Sequence, residues 1–139
     1  MDKRLKGKVA VITGGSDGIG KAAALSLSRE GARVAINYRK SKDAAEALAA
    51  SLGDRARAFQ CDIRDADAVK GMVAEVVESL GAPTTVVHNA LADFTFNGDA
   101  RKKLDTIEWT DFNAHAETAL GGALNLIHAV RPAMEKQGF

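Results

Sequence analysis

The sequence predicts an α/β fold in which helices cover both faces of a doubly wound parallel sheet. Short apolar runs alternate with segments whose apolar residues recur at helical spacing, and this alternation repeats four times. The first apolar run leads directly through a glycine-rich turn into a helix, which is the order of a β-α unit. Because the chain has no repeat, linker or low-complexity segment, we expect one domain over residues 1–139.

The first half of the chain supplies two strands and two helices. Val9–Thr13 is a short apolar run, as expected for a strand that is buried on both faces. Ile19–Arg29 carries apolar residues at helical spacing, and Gly31 ends this helix. Arg33–Asn37 is predicted as the second strand and Asp43–Leu52 as an alanine-rich helix.

The second half continues the same alternation. Ala56–Gln60 is predicted as the third strand. Ala66–Leu80 is predicted as an amphipathic helix whose apolar stripe consists of Val69, Met72, Val73, Val76, Val77 and Leu80. Thr84–His88 is predicted as the fourth strand, and Leu91–Glu108 as a loop. The last element is a long helix over Thr110–Gln137, capped by its first residue.

Composition and charge exclude several classes of protein. With 46% hydrophobic and 27% charged residues and a net charge of +1, the chain is neither disordered nor suited to nucleic acid. Cys61 is the only cysteine and the 3 histidines are scattered, so neither a disulfide nor a metal site is expected. The start lacks an apolar signal core, and no apolar run could cross a bilayer. We expect a cytoplasmic protein with no membrane or nucleic-acid partner.

The turn after the first strand carries the strongest functional signal. Gly14, Gly18 and Gly20 stand there in a G-x-x-x-G-x-G spacing. Glycine permits a tight turn and lets the backbone approach a pyrophosphate, while the following helix N-terminus offers free N–H groups and partial positive charge. An ordinary turn could also contain these glycines, but the strand before and the helix after favour a nucleotide site of Rossmann type.

The end of the second strand indicates which dinucleotide would bind. An Asp or Glu about twenty residues beyond the glycines commonly binds the adenosine ribose hydroxyls. This chain instead has Tyr38, Arg39, Lys40 and Ser41 there. Two cations and a hydroxyl suit a 2′-phosphate. A solvated basic loop would have the same residues, however, and Asp17 places a negative charge nearby. We predict NADP(H) as the cofactor.

Several motifs resemble those of the short-chain dehydrogenases/reductases over essentially the whole chain. Thr13–Gly20 is similar to their T-G-x-x-x-G-I-G fingerprint. Asn37–Arg39 resembles the N-Y-R of NADP-preferring members, including many 3-oxoacyl-acyl-carrier-protein reductases. Asp62 matches the family Asp that binds the adenine amino group, and His88–Leu91 resembles the N-N-A-G motif. Leu120–Met134 resembles the long fourth helix of the family.

The resemblance implies NADP-dependent reduction of a carbonyl to a hydroxyl by hydride transfer. The substrate would be a small-molecule or acyl-carrier-bound carbonyl, most directly a 3-oxoacyl thioester, and the protein would be a homodimer or homotetramer. The implied cofactor-binding residues follow the four strands: Gly14, Ser16, Asp17, Gly18, Ile19, Gly20, Tyr38, Arg39, Lys40, Ser41, Asp62, Ile63, Asn89, Ala90 and Leu91.

Three positions depart from the family pattern. Leu91 replaces the glycine of N-N-A-G, which in the family lies beside the cofactor ribose. His88 replaces the first Asn of that motif, whereas Asn89 keeps the second and can tie the sheet to neighbouring backbone. Ala119 stands on or near the position of the family Asn that supports a proton-relay water. These departures indicate a divergent member.

No catalytic residue is assigned to this chain. The family uses a Ser after the fifth strand, then a Tyr and a Lys four residues later on the next helix. The chain reaches Phe139 where that strand should begin, so we expect the N-terminal, cofactor-binding part of a longer domain, truncated after the fourth β-α unit. Tyr38 and Lys42 share the Tyr–Lys spacing, but they follow the second strand, and we interpret the match as coincidence. Three other polar residues are interpreted as turn and cap residues: Thr13, Asp65 and Asp93.

The sequence also allows two alternatives to a 3-oxoacyl reductase. One is a non-catalytic nucleotide-binding module that is complete at 139 residues. Such a module should protect its last strand, whereas Thr84–His88 would be an unpaired apolar edge. The other is a reductase of the same family that acts on a sterol, sugar or polyol.

Overall fold

A computed structural model describes residues 3–93, 98 and 101–138 of the chain. Within these residues, a parallel sheet of four strands lies between helices on both faces. In chain order the elements are β1 (Val9–Ile12), α1 (Gly18–Arg29), β2 (Arg33–Tyr38), α2 (Lys42–Leu52), a 3₁₀ turn (Gly53–Arg55), β3 (Ala56–Gln60), α3 (Ala66–Leu80), β4 (Thr85–Val87), α4 (Trp109–Ala116), a π-helical turn (Glu117–Gly121) and α5 (Gly122–Glu135).

The strand order β3-β2-β1-β4 brings the carboxyl ends of all the strands to one edge of the sheet. Ile12 near the end of β1 pairs in parallel with Ile36 of β2 and with Val87 of β4. Tyr38 at the end of β2 pairs with Gln60 at the end of β3. The loops after the strands therefore converge at this edge, where ligands bind in open parallel sheets.

Alternating strand residues build a hydrophobic core on each face of the sheet. Val9 and Val11 of β1 pack into one core, and Ile12 packs into the other. The first core also receives the buried stripes of α3 and α5, chiefly Val69, Met72, Val73, Val76, Leu80, Leu126 and Val130. The second core receives α1 and α2 through Ala24, Ala45, Leu48 and Ala49. The predicted doubly wound α/β sheet of Rossmann type is confirmed.

The structure differs from the prediction in the helix over Thr110–Gln137, both in its first residue and in its continuity. The helix begins at Trp109, and Glu108 rather than Thr110 is its cap. The side chain of Glu108 accepts the backbone N–H of Asp111, whose carboxylate accepts the Glu108 N–H at 2.9 Å. The helix is then interrupted by the π-helical turn at Glu117–Gly121.

Other boundaries lie close to the predicted ones. β3 and α3 have the predicted bounds, and Asp65 caps α3 by accepting the N–H groups of Asp67 and Ala68. Val77, predicted in the apolar stripe of α3, is instead 40% exposed. Part of the predicted loop Leu91–Glu108 lies outside the described residues. Among the helices that are described, none has the length and hydropathy to cross a bilayer.

Candidate functional site

A cleft of about 690 Å³ opens at the carboxyl edge of the sheet. Every residue predicted to bind cofactor lines this cleft except Gly20. The lining residues come from the loops after the strands: Gly14, Ser16, Asp17, Gly18 and Ile19 after β1, Tyr38, Arg39, Lys40 and Ser41 at the end of β2, Asp62 and Ile63 after β3, and Asn89, Ala90 and Leu91 after β4. The structure brings them together, and their contact with a cofactor stays a prediction.

The glycine turn offers backbone rather than side chains to the cleft. Gly14 and Gly18 have φ angles of 59° and 50°, in the left-handed region that favours glycine. A Cβ added at Gly18 would meet nothing within 4 Å, so this backbone borders open space. Asp17 caps α1 without a side-chain hydrogen bond to the first-turn amides. This open backbone and the helix N-terminus fit a pyrophosphate.

Gly20 has a different role from the other two glycines of the motif. It is buried, and a Cβ there would collide with the carbonyl oxygen of Gly14. The same Cβ would lie 2.7 Å from Nδ2 of Asn89 and 2.9 Å from Cα of Gly15. Gly20 therefore allows α1 to pack closely against the turn and the end of β4, behind the surface that faces the cleft.

Thr13 and Asn89 fasten the glycine turn to the end of β4. The Thr13 side chain is fully buried, and its Oγ1 accepts the backbone N–H groups of Asn89 at 3.0 Å and Ala90 at 3.1 Å. In return, Nδ2 of Asn89 donates to the carbonyl oxygens of Thr13 at 3.2 Å and Gly14 at 3.0 Å. Thr13 lies in the turn as predicted, and Asn89 ties the sheet to neighbouring backbone as predicted.

His88, one departure from the family pattern, contacts Ala119, another departure. Its Nε2 lies 2.9 Å from the carbonyl oxygen of Ala119 in the π-helical turn. Because a carbonyl can only accept, Nε2 carries the proton. In the neutral ring Nδ1 then accepts, which fits the Thr13 hydroxyl at 3.3 Å. The imidazole thus bridges the turn after β1 and the π-helical turn.

Asp93, expected from the sequence to be a turn or cap residue, forms ion pairs with two residues that follow β2. Its Oδ1 lies 2.5 Å from Nη2 of Arg39, and its Oδ2 lies 2.8 Å from Nζ of Lys40. Hydrogen bonds from Lys40 and Arg39 lower the pKa of Asp93 from its ordinary 3.8 to about 2. The two cations predicted to bind a 2′-phosphate therefore already hold a carboxylate. No local sequence pattern predicts these two ion pairs, because Asp93 follows β4 and the cations follow β2.

Asp62 forms a second ion pair in the cleft, with Arg64. Nη2 of Arg64 donates to Oδ2 at 2.6 Å, and Nε donates to Oδ1 at 3.0 Å. The backbone N–H of Arg64 also donates to Oδ1, at 3.0 Å. The side-chain hydrogen bond from Arg64 is the main reason that the pKa of Asp62 falls to about 2. Arg64 was not predicted as a site residue, although its spacing from Asp62 allows a local pair.

The nucleophilic and phenolic groups near the cleft are not prepared for catalysis. Burial, reinforced by the charges of Asp62 and Asp65, raises the pKa of the Cys61 thiol to about 11, so this group stays protonated. Tyr38 is 6% exposed and packs in the core beneath α1 and α2. Lys42 lies 3.8 Å from Glu46 on α2. This placement supports interpreting the Tyr38–Lys42 spacing as coincidence.

The fold and the cleft together place this protein in the class of Rossmann-like α/β proteins. The family model described as short chain dehydrogenase matches residues 8–139, and the chain belongs to this family. The predicted family is confirmed.

Similar proteins include reductases and a sugar dehydrogenase. A 3-oxoacyl-acyl-carrier-protein reductase from Staphylococcus aureus is 37% identical over 133 residues, covering 94% of this chain and 52% of that protein. L-Rhamnose 1-dehydrogenase (NAD(P)(+)) from a Sphingomonas species is 35% identical over 139 residues, and the match covers 98% of this chain and 52% of that protein. The chain thus spans about half the length of the curated relatives it matches.

A solved structure supports the same assignment. The crystal structure of a 3-ketoacyl-(acyl-carrier-protein) reductase from Brucella melitensis, complexed with NADH, superposes with a TM-score of 0.85. The two sequences are 27% identical, and the match covers 96% of this chain and 53% of the Brucella chain.

Proposed function

We propose that residues 1–139 are the cofactor-binding part of an NADP(H)-dependent carbonyl reductase of the short-chain dehydrogenase family. Its substrate would be a 3-oxoacyl thioester, small or carried on an acyl carrier protein, and it would act in the cytoplasm. The catalytic Ser, Tyr and Lys would belong to the part of the relatives that this chain does not span. The observation that carries the proposal is the cleft, where open glycine backbone and two cations lie at one edge of the sheet.

The glycine turn would hold the pyrophosphate. Gly18 lines the cleft with open space beside its Cα, and the first-turn amides of α1 supply N–H donors. Ile19 and Leu91 also line the cleft and are 80% and 77% exposed. Burying such apolar side chains against a flat ring would stabilise the complex. When bound, a nicotinamide dinucleotide supplies the hydride for carbonyl reduction.

Arg39, Lys40 and Ser41 support the choice of NADP(H). The two cations lie at the end of β2, where an acid would favour the free ribose hydroxyls of NAD. Ser41 precedes α2 without a side-chain hydrogen bond to the helix, so its hydroxyl can donate elsewhere. Asp62 would accept the adenine amino group with the carboxylate that Arg64 holds in place. The NADH in the Brucella structure makes NADH the cofactor against which to compare.

The first prediction concerns Arg39. Replacing it with Ala should weaken NADPH binding by about 1.5–3 kcal/mol, the range for a hydrogen bond to a charged group, or about tenfold or more in Kd. NADH binding should change little, because NADH lacks the 2′-phosphate. Calorimetric titration of both cofactors into wild type and variant measures this difference.

The matched control is Arg57→Ala. Arg57 is an exposed arginine on the edge strand β3 and does not line the cleft, so its loss removes the same charge elsewhere. Equal losses of NADPH and NADH affinity in Arg39→Ala, or the same NADPH loss in Arg57→Ala, would contradict the assignment of Arg39 to the 2′-phosphate.

A second candidate substrate is a sugar. The Sphingomonas relative, an L-rhamnose 1-dehydrogenase, matches nearly the whole chain at 35% identity, close to the value for the Staphylococcus reductase. Reduction of an acetoacetyl thioester and oxidation of an aldose, assayed side by side on a protein extended beyond residue 139, separate the two candidates. Absence of both activities in a folded, cofactor-binding extended protein would favour a non-catalytic module instead.

A further inference from the structure

The ion pairs of Asp93 span the cleft from one loop to another. Asp93 follows β4, whereas Arg39 and Lys40 follow β2, and all three residues line the cleft. Each carboxylate oxygen binds a different cation, at 2.5 Å and 2.8 Å. The carboxylate is thus held by two cations, as one would expect of a phosphate at the same place.

We propose that Asp93 is a specificity-determining residue that occupies the 2′-phosphate subsite of the free protein, so that the phosphate of NADPH must displace it. This inference rests on the proposed function, since it assigns the two cations to that phosphate. NADH carries no group that competes with Asp93. The carboxylate therefore selectively weakens NADPH binding, and the protein prefers NADPH less strongly than its cations alone would allow.

The exposure of the three side chains makes this exchange feasible. Asp93 is 71% exposed, Lys40 is 69% exposed and Arg39 is 34% exposed. Ion pairs this open to water are weak, because solvent screens them and ordering the side chains opposes them. A phosphate monoester carries about −1.5 to −2 charges at neutral pH and three acceptor oxygens, so it binds the same cations more strongly than one carboxylate does.

The displacement also links the two loops. While Asp93 is bound to the cations, residues 91–93 are tied to the end of β2. A 2′-phosphate that takes over Arg39 and Lys40 releases that tie.

The test compares two ligands that differ only in the 2′-phosphate: adenosine 2′,5′-bisphosphate and adenosine 5′-monophosphate. Calorimetric titration is carried out on wild type, Asp93→Asn and Asp54→Asn. Asp54 is exposed in the 3₁₀ turn before β3, at the opposite edge of the sheet, so its variant makes the same change in net charge far from the cleft. Circular dichroism confirms that each variant is folded.

We expect Asp93→Asn to tighten bisphosphate binding about three- to tenfold, the range for removing two exposed ion pairs. Binding of the monophosphate should change less than twofold, and Asp54→Asn should behave as wild type. In a background of Arg39→Ala with Lys40→Ala, Asp93→Asn should give no gain, because the cations for which it competes are gone.

The outcomes separate this inference from the proposed function. If wild type prefers the bisphosphate and Asp93→Asn leaves that preference unchanged or weaker, the displacement inference is overturned and the NADP(H) proposal stands. An equal gain in Asp54→Asn, or a gain that persists without the two cations, overturns it as well. If neither wild type nor Asp93→Asn distinguishes the two ligands, the NADP(H) proposal fails and the inference fails with it.

Discussion

At the residue scale, Asp62 and Arg64 form a pair whose behaviour with pH can be worked out. The hydrogen bond from Arg64 stabilises the ionised carboxylate and lowers the pKa of Asp62 from 3.8 to about 2. A carboxyl whose pKa is lower in the folded state stabilises the fold above the unfolded pKa. This contribution is therefore present above pH 3.8 and is lost as the pH falls through about 2.

The matching prediction uses Arg64→Gln. The titration midpoint of the Asp62 carboxyl, followed by NMR, should rise from about 2 toward 3.8 in this variant. Lys70→Gln is the control, because it also removes a cation beside an aspartate but on α3, where Lys70 faces Asp67 at 3.9 Å. If the titration midpoint of Asp62 stays near 2 in Arg64→Gln, a group other than Arg64 lowers the pKa of this carboxyl.

Residue-scale features of the site differ in how far the sequence reveals them. Gly14 and Gly18 could be placed in the cleft because the glycine spacing between a strand and a helix has a known geometry. Asp93 could not, since its partners lie more than fifty residues away in sequence and nothing local marks the contact. The sequence therefore predicted the two cations in the site but not the carboxylate that pairs with them.

At the scale of elements, Gly20 determines how closely α1 can approach the glycine turn. Gly20→Ala should destabilise the fold by about 1–3 kcal/mol, because the new Cβ collides with backbone at Gly14 and Gly15 and cannot be relieved by a rotamer change. Gly71→Ala is the control. Gly71 is exposed in the middle of α3 with nothing near its Cβ, so Ala should stabilise by about 0.5–1 kcal/mol.

Urea unfolding of both variants measures the two free-energy changes. A Gly20→Ala protein as stable as wild type would mean that α1 can shift away from the turn at little cost. In that event the third glycine of the motif would act on the ligand and not on the packing.

Most elements follow from hydrophobic periodicity, and the exceptions have physical reasons. The bounds of β3 and α3 are predicted because turn residues and the Asp65 cap flank them. The π-helical turn at Glu117–Gly121 is not, since one wider turn hardly changes helical spacing. Its contact with His88 joins elements that are distant in sequence, so no local pattern could indicate it.

At the scale of the whole molecule, the alternation of strands and helices predicts the parallel sheet. It does not predict which apolar side chains of the helices stay exposed. Five large apolar side chains on α4, the π-helical turn and α5 are 52% to 74% exposed: Trp109, Phe112, Leu120, Leu124 and Ile127. Residues 120, 124 and 127 share one helical face. Exposed apolar stripes of this kind are typical of contact surfaces.

The last prediction is that this stripe mediates self-association, since the family resemblance implies a homodimer or homotetramer. Leu124→Glu should weaken association tenfold or more, because burying a leucine contributes about 1.5–3 kcal/mol and a buried unpaired carboxylate opposes it further. Val77→Glu is the control, since Val77 is a 40% exposed apolar residue on α3. Sedimentation velocity over a range of protein concentrations measures the equilibrium. A monomeric wild type, or equal effects of both substitutions, would contradict the assignment of the stripe to self-association.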